Sequence, residues 1–118
     1  MEGPTDITRT IVLGPLTAVH KKHFTAVLKG MLALGNARFL YGCRGVNLDY
    51  LAREPHWAMG LDYRHGTGHG VGHLLNDHES PNSFRWKCGA GGADSAVLEP
   101  GMVTSDEPGV YLAGQYGI

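Results

Sequence analysis

The residues best equipped for chemistry lie between Arg64 and Glu79, in the run RHGTGHGVGHLLNDHE. Four of the chain's seven histidines fall there, interleaved with Gly66, Gly68, Gly70 and Gly72. His65, His69 and His73 recur at every fourth residue, a spacing that would share one face of a helix. Each glycine would cost such a helix about 1 kcal/mol relative to Ala. An extended segment also puts residues four apart on one face, and it tolerates close backbone approach at Gly. The expectation is a Gly-rich strand turning imidazoles toward a site, with surface histidines in a loop as the alternative. Imidazole is the commonest metal ligand and the side chain that titrates nearest neutral pH. Asp6 and Glu107, from separate extended segments, could join His69. Carboxylate plus imidazole suits Mn²⁺, Zn²⁺, Co²⁺ or Fe²⁺, and Mg²⁺ less because of the nitrogen. Spacing alone leaves their convergence open.

The elements that would position these groups follow from periodicity. Thr5 to Leu13 (TDITRTIVL) is rich in β-branched residues and reads as a strand. Asp is disfavoured inside strands, so Asp6 is either a turn-edge cap or a ligand. Gly14-Pro15 breaks the strand, and Pro15 suits the first position of a helix. Leu16, Val19, Phe24, Val27, Leu28, Met31 and Leu32 follow helical spacing and should face the core, with Gly35-Asn36 as the stop. His20 and His23 are expected on this helix's surface, without a chemical role. Asn47 is a good N-cap for a second helix that ends near Trp57. Leu48, Leu51 and Ala52 would point inward, with Asp49 and Arg53 as a surface i,i+4 pair. Ser80 to Ala96 reads as a loop. Met102 to Glu107 reads as a strand, and Val110 to Ile118 as a hairpin turning near Ala113-Gly114. This order implies an α/β (α+β) sheet with two helices on one face.

Composition narrows the possible functions. At 118 residues the chain has one domain's worth of sequence. Hydrophobic residues at 42% and charged residues at 18% indicate a globular protein, not a disordered one. A net charge of −1 gives no basic footprint for nucleic acid. No apolar run approaches a membrane span, and the start is no signal peptide. Cys43 and Cys88 form no framework, so a reduced, cytoplasmic setting is expected. There is no HExxH, GxSxG or P-loop, and GTGHGV lacks the last glycine of a dinucleotide fingerprint.

Taken together, TDITRT (Thr5 to Thr10), LDYLAR (Leu48 to Arg53), GLDYRHGTGHGVG (Gly60 to Gly72), NDHE (Asn76 to Glu79) and EPGMVTSDEPGVY (Glu99 to Tyr111) resemble the Xaa-Pro aminopeptidase (aminopeptidase P) branch of the pita-bread metallopeptidases. The resemblance implies a partial pita-bread fold, with a curved mixed or antiparallel sheet, and a dinuclear site of two Asp, one His and two Glu. Position by position, Asp6 matches the second, bridging Asp, His69 the sole His ligand and Glu107 the first Glu. His65 and His78 match accessory histidines that contact substrate and assist proton transfer. His73 falls where the family is not restricted to His.

The first Asp and last Glu of that ligand set have no counterpart here, and Ser80 stands where a Gly usually follows the Glu. Residues 1–118 are thus expected to form a single partial catalytic domain lacking its upstream half and terminal strand. The implied reaction is removal of the first residue from peptides with Pro second, by water that paired divalent ions activate. Mn²⁺ is the first expectation, with Zn²⁺ or Co²⁺ as alternatives. Three of five ligands imply at most one weakly held ion and little or no peptidase activity for these residues alone. Uncovered sheet edges and apolar surface predict a homo-oligomer. The alternatives are a non-catalytic binding domain that kept the fold, or part of a prolidase- or creatinase-like hydrolase.

Overall fold

The computed structural model describes residues 3–74, 76–87 and 96–118. Leu75 and residues 88–95 lie outside them, and with them Cys88 and the later part of the loop expected up to Ala96.

Helix α1 (Ala18–Gly35) begins at Thr17, not at Pro15. The Thr17 hydroxyl accepts the His20 N–H at 3.2 Å, and His20 Nδ1 accepts the Thr17 N–H at 3.2 Å. That reciprocal box satisfies two of the amides a helix start leaves unpaired, which Pro15 cannot do.

The face α1 buries is a correction to the sequence reading. His23, Ala26, Gly30 and Leu34 face inward. Phe24, Leu28, Met31 and Leu32 remain 36–49% exposed. Small residues win this face because α2 approaches so closely that a Cβ on Gly30 would strike the Ala52 carbonyl. His23 is likewise buried, its Nδ1 bonded to the Tyr116 hydroxyl at 2.8 Å.

Helix α2 (Gly45–Trp57) starts before Asn47, whose Oδ1 instead accepts the Arg44 N–H at 2.8 Å from inside the first turn. Leu48 and Ala52 join Leu34 in the apolar core, with Leu51, Phe84 and Leu98 packed against them. α2 also packs on the strand that carries Phe84.

Thr5 to Leu13 is not a paired strand. The segment has no regular secondary structure, and Ile7, Ile11 and Leu13 are exposed. β-Branched residues favour an extended backbone, but a strand needs a neighbour to complete its ladder.

The histidine run yields β1 (Gly68–Val71), antiparallel to β2 (His78–Phe84). Ser80 to Phe84 is therefore strand where a loop was expected. The register shifts between His69 and Gly70, so the pairing carries an irregularity. On β1's other edge runs the segment 102–107. Val71 donates to the Val103 carbonyl at 3.2 Å, Ser105 to His69 at 2.9 Å and Glu107 to Thr67 at 2.6 Å. Only Gly70 and Thr104 form a regular bridge there. Gly68 and Gly70 allow this three-deep stacking, because a Cβ at either would collide with a carbonyl, of Ser105 or of Glu79. The chain ends in a hairpin of β3 (Tyr111–Leu112) and β4 (Tyr116–Gly117), turned at Gly114 with φ +72°.

Candidate metal centre

Three chain segments bring Asp6, His69 and Glu107 together. One ligand-type atom from each lies within 4.8 Å of the others. His69 Nε2 is 3.1 Å from Asp6 Oδ2 and 2.8 Å from Glu107 Oε1. Neither contact has hydrogen-bond geometry, so Nε2 is buried without a hydrogen-bond partner among the described residues.

The other ring nitrogen sets the tautomer. His69 Nδ1 lies 3.0 Å from the Gly70 carbonyl, which can only accept. The proton of a neutral ring is therefore on Nδ1, leaving the Nε2 lone pair beside two carboxylates. A bare lone pair there repels those oxygens, whereas a cation among them binds all three. The donor set fits a divalent metal, and the orphaned nitrogen is the observation that tests the fit.

Ser105 fixes the geometry between two of the three groups. Its hydroxyl accepts the His69 N–H at 3.0 Å and donates to Glu107 Oε1. The sequence reading passed over Ser105; its signal was the alternation that puts it on the Glu107 face. Neighbouring Asp106 is pushed up to about 7, by burial first and by the Glu107 charge second.

His65, His69, His78, Arg85, Glu107 and Tyr111 line one cavity of about 270 Å³. His78 meets the His69 ring edge-on at 3.9 Å between centroids. His65 Nδ1 donates to the Gly66 carbonyl at 2.7 Å, so its Nε2 accepts the Tyr111 O–H at 3.0 Å. Burial and the Glu107 charge raise the Tyr111 pKa above its ordinary value. Tyr111 is a second residue the sequence reading missed as part of the site. His73 lies exposed and outside this group.

Behind the site Asp49 and Arg53 are buried at 0% and 1% exposure, which corrects the expected surface pair. Arg53 Nε bonds Asp49 at 2.6 Å, and its other nitrogens take Asp62 and the Tyr63 and His65 carbonyls at 2.7–2.8 Å. The guanidinium lies 4.0 Å over the Tyr63 ring, which in turn lies 4.9 Å from the His65 ring. Asp49 also accepts from the Thr67 hydroxyl at 2.5 Å, and the Thr67 carbonyl is the acceptor for Glu107. Asp62 is held below the usual carboxylate range; desolvation, the largest influence, opposes this, and bonds from Trp57 and Arg53 outweigh it.

β1 carries His69 between β2 and the 102–107 segment, and Asp6 and Glu107 come to it from other parts of the chain. That donor set is of the kind that holds a divalent metal in metallohydrolases. The whole chain, residues 1–118, matches metallopeptidase family M24, and it belongs to that family. It is 50% identical over all 118 residues to aminopeptidase P1 of Arabidopsis thaliana, covering 18% of that protein. It is 48% identical over the same length to a probable Xaa-Pro aminopeptidase P of Tuber melanosporum, covering 19%. Among solved structures, an X-prolyl aminopeptidase from Caenorhabditis elegans, described as a cytosolic enzyme with a di-nuclear active site, superposes with a TM-score of 0.82 at 42% identity. That match covers 93% of this chain and 17% of the other. An Xaa-Pro dipeptidase from Bacillus anthracis gives 0.78 at 35% identity, covering 96% and 30%. The fold is accordingly part of the mixed α/β pita-bread architecture of this family. The chain spans less than a fifth of the curated relatives it matches.

Proposed function

We propose that this chain is the later part of the catalytic domain of a metal-dependent Xaa-Pro aminopeptidase. Asp6, His69 and Glu107 are its metal ligands, and His65 and His78 its substrate-side histidines. The observation that carries the reading is the buried His69 Nε2 lone pair facing two carboxylates from distant segments. The substrate is a peptide with Pro at its second position. Two aminopeptidase P relatives, 48–50% identical over the whole chain, support this choice of substrate.

A divalent cation, Mn²⁺ first and Zn²⁺ or Co²⁺ next, supplies Lewis acidity toward water and a peptide carbonyl. The chain's own residues do the rest. Ser105 holds Glu107 against His69, and Gly70 holds the His69 tautomer. Tyr111 orients His65, whose imidazole and that of His78 stand on the cavity wall to hold or pass a proton. Three ligand side chains suffice for one cation, so these 118 residues alone bind at most one and hydrolyse peptides poorly.

The reading includes a cytoplasmic setting, supported by the Caenorhabditis elegans relative described as a cytosolic enzyme. It also includes a homo-oligomer that covers the exposed face of α1. Calorimetric titration with Mn²⁺ tests the core of the proposal. One site of micromolar or weaker affinity is expected, weakened at least tenfold by Glu107→Gln. Two tight ions per chain would overturn the one-ion assignment, and no binding would overturn the site. Light scattering showing a monomer would remove the oligomer.

A further inference from the structure

A second recess, of about 410 Å³, opens beside the cavity of the metal-ligand cluster. The two share His65, Gly66 and Arg85, so they meet along one wall. The chemistry changes across that wall. The second recess is lined by Arg53, Arg64, Arg85 and Lys87, and Asp62 is the one carboxylate among its lining residues. Asp62 is already engaged by Arg53 at 2.8 Å, and Arg53 also holds Asp49. Neither Arg64 nor Lys87 has a carboxylate partner among the described residues. Trp86 forms an apolar wall, with Lys87 Nζ 4.3 Å from its ring centroid and Trp57 edge-on behind it at 5.6 Å.

The chain as a whole carries a net charge of −1, so this local excess of cations is not a reflection of composition. A concave surface lined by one sign of charge concentrates ligands of the other, and guanidinium groups match carboxylates in geometry. The volume falls within the usual range for ligand recesses, roughly 300–1,000 Å³.

We infer that this recess binds an acidic side chain, Asp or Glu, of a peptide whose amino terminus lies in the neighbouring cavity. The inference rests on the aminopeptidase reading and names its preferred substrates: Xaa-Pro peptides with carboxylates further along. Arg64 and Lys87 attract the carboxylate at the mouth, and Trp86 covers the methylene stem. The preference is electrostatic, so it falls as salt screens the exposed cations.

Of the chain's two tryptophans, Trp86 lines this recess and Trp57 packs edge-on against Trp86, so intrinsic fluorescence reports its occupancy. The intact 118-residue chain is titrated with Ala-Pro-Gly-Glu-Glu-amide, Ala-Pro-Gly-Gln-Gln-amide and the Gln peptide with a free C-terminal carboxylate. The acidic amide should bind about tenfold more tightly than the neutral amide at low salt. That advantage should shrink to about twofold or less at 0.3 M salt. It should vanish in the double variant Arg64→Gln/Lys87→Gln, whose two sites are exposed and whose circular dichroism should match the parent. Equal binding of the two amides, or an advantage that survives the double substitution, overturns the inference. Tight binding of the neutral peptide through its free terminus alone overturns the side-chain assignment. A Mn²⁺ titration of the same samples tests the metal reading separately, because failure there leaves the ratio between the peptides unchanged.

Discussion

Replacing Asp49 with Ala removes the carboxylate around which the site's inner framework is assembled. Asp49 has no exposed surface, and it accepts from Arg53 Nε at 2.6 Å and from the Thr67 hydroxyl at 2.5 Å. Breaking a buried ion pair from one side costs about 3–5 kcal/mol, because the remaining charge is stranded. Arg53 keeps the Asp62 carboxylate, itself 41% exposed, and two backbone carbonyls. Those contacts place the expected loss near the lower end, at about 3 kcal/mol.

A domain of this length holds roughly 6–18 kcal/mol in total, so that loss is a large fraction. Urea unfolding should show it as a midpoint lowered by roughly 1–3 M with the slope unchanged. The double variant Asp49→Leu/Arg53→Met removes both charges and should recover much of the stability, since apolar replacements of a buried pair are often neutral. A loss below about 1 kcal/mol for Asp49→Ala would refute the reasoning, as would a double variant no more stable than the single one.

Acid should destabilise the fold through His56. It is fully buried, its Nδ1 donates to the Ala52 carbonyl at 3.0 Å, and burial lowers its pKa below the ordinary 6.5. The unfolded chain takes up that proton first, so stability is complete above pH 6.5 and declines as pH falls toward the folded-state value. His56→Gln should flatten the urea midpoint measured between pH 7.5 and 5. Gly68→Ala places a Cβ against the Ser105 carbonyl and should cost about 2 kcal/mol or more while weakening Mn²⁺ binding; an unchanged melting temperature would contradict the packing described. Ser105→Ala removes both the donor to Glu107 and the acceptor of the His69 N–H, and should weaken Mn²⁺ binding roughly tenfold and lower the melting temperature, as calorimetry and thermal unfolding together would report.

The parts legible in the sequence were those governed by local rules or by distinctive chemistry. Glycines alternating with histidines pointed to a strand of minimal thickness, and β1 is that strand, pressed between two backbones. The convergence of Asp6, His69 and Glu107 came from the family resemblance, because nothing in their spacing could fix it. Errors arose where tertiary contacts overrode periodicity. Periodicity makes the apolar stripe of α1 read as its core face, yet Gly30 lets α2 approach closely and so decides the packing, with Ala26 buried on the same face. Asp49 and Arg53 read as a solvated pair because i,i+4 spacing cannot show that residues 62–67 fold over them. Thr5 to Leu13 had strand propensity without a neighbour to pair with, and Ser105 and Tyr111 act only through contacts that exist once the sheet edge is formed.

The three ligand side chains are not equally anchored. His69 and Glu107 sit on neighbouring backbones bonded to each other through residues 67–71 and 103–107, while Asp6 belongs to a segment with no ladder of its own. A cation shared by all three would therefore staple the start of the chain to its middle. Much of the intrinsic affinity would go into ordering that segment, and the affinity measured would be lower by that amount. Protection of the Arg9 peptide bond from trypsin should then rise with Mn²⁺ concentration, making the proteolysis rate a gauge of occupancy.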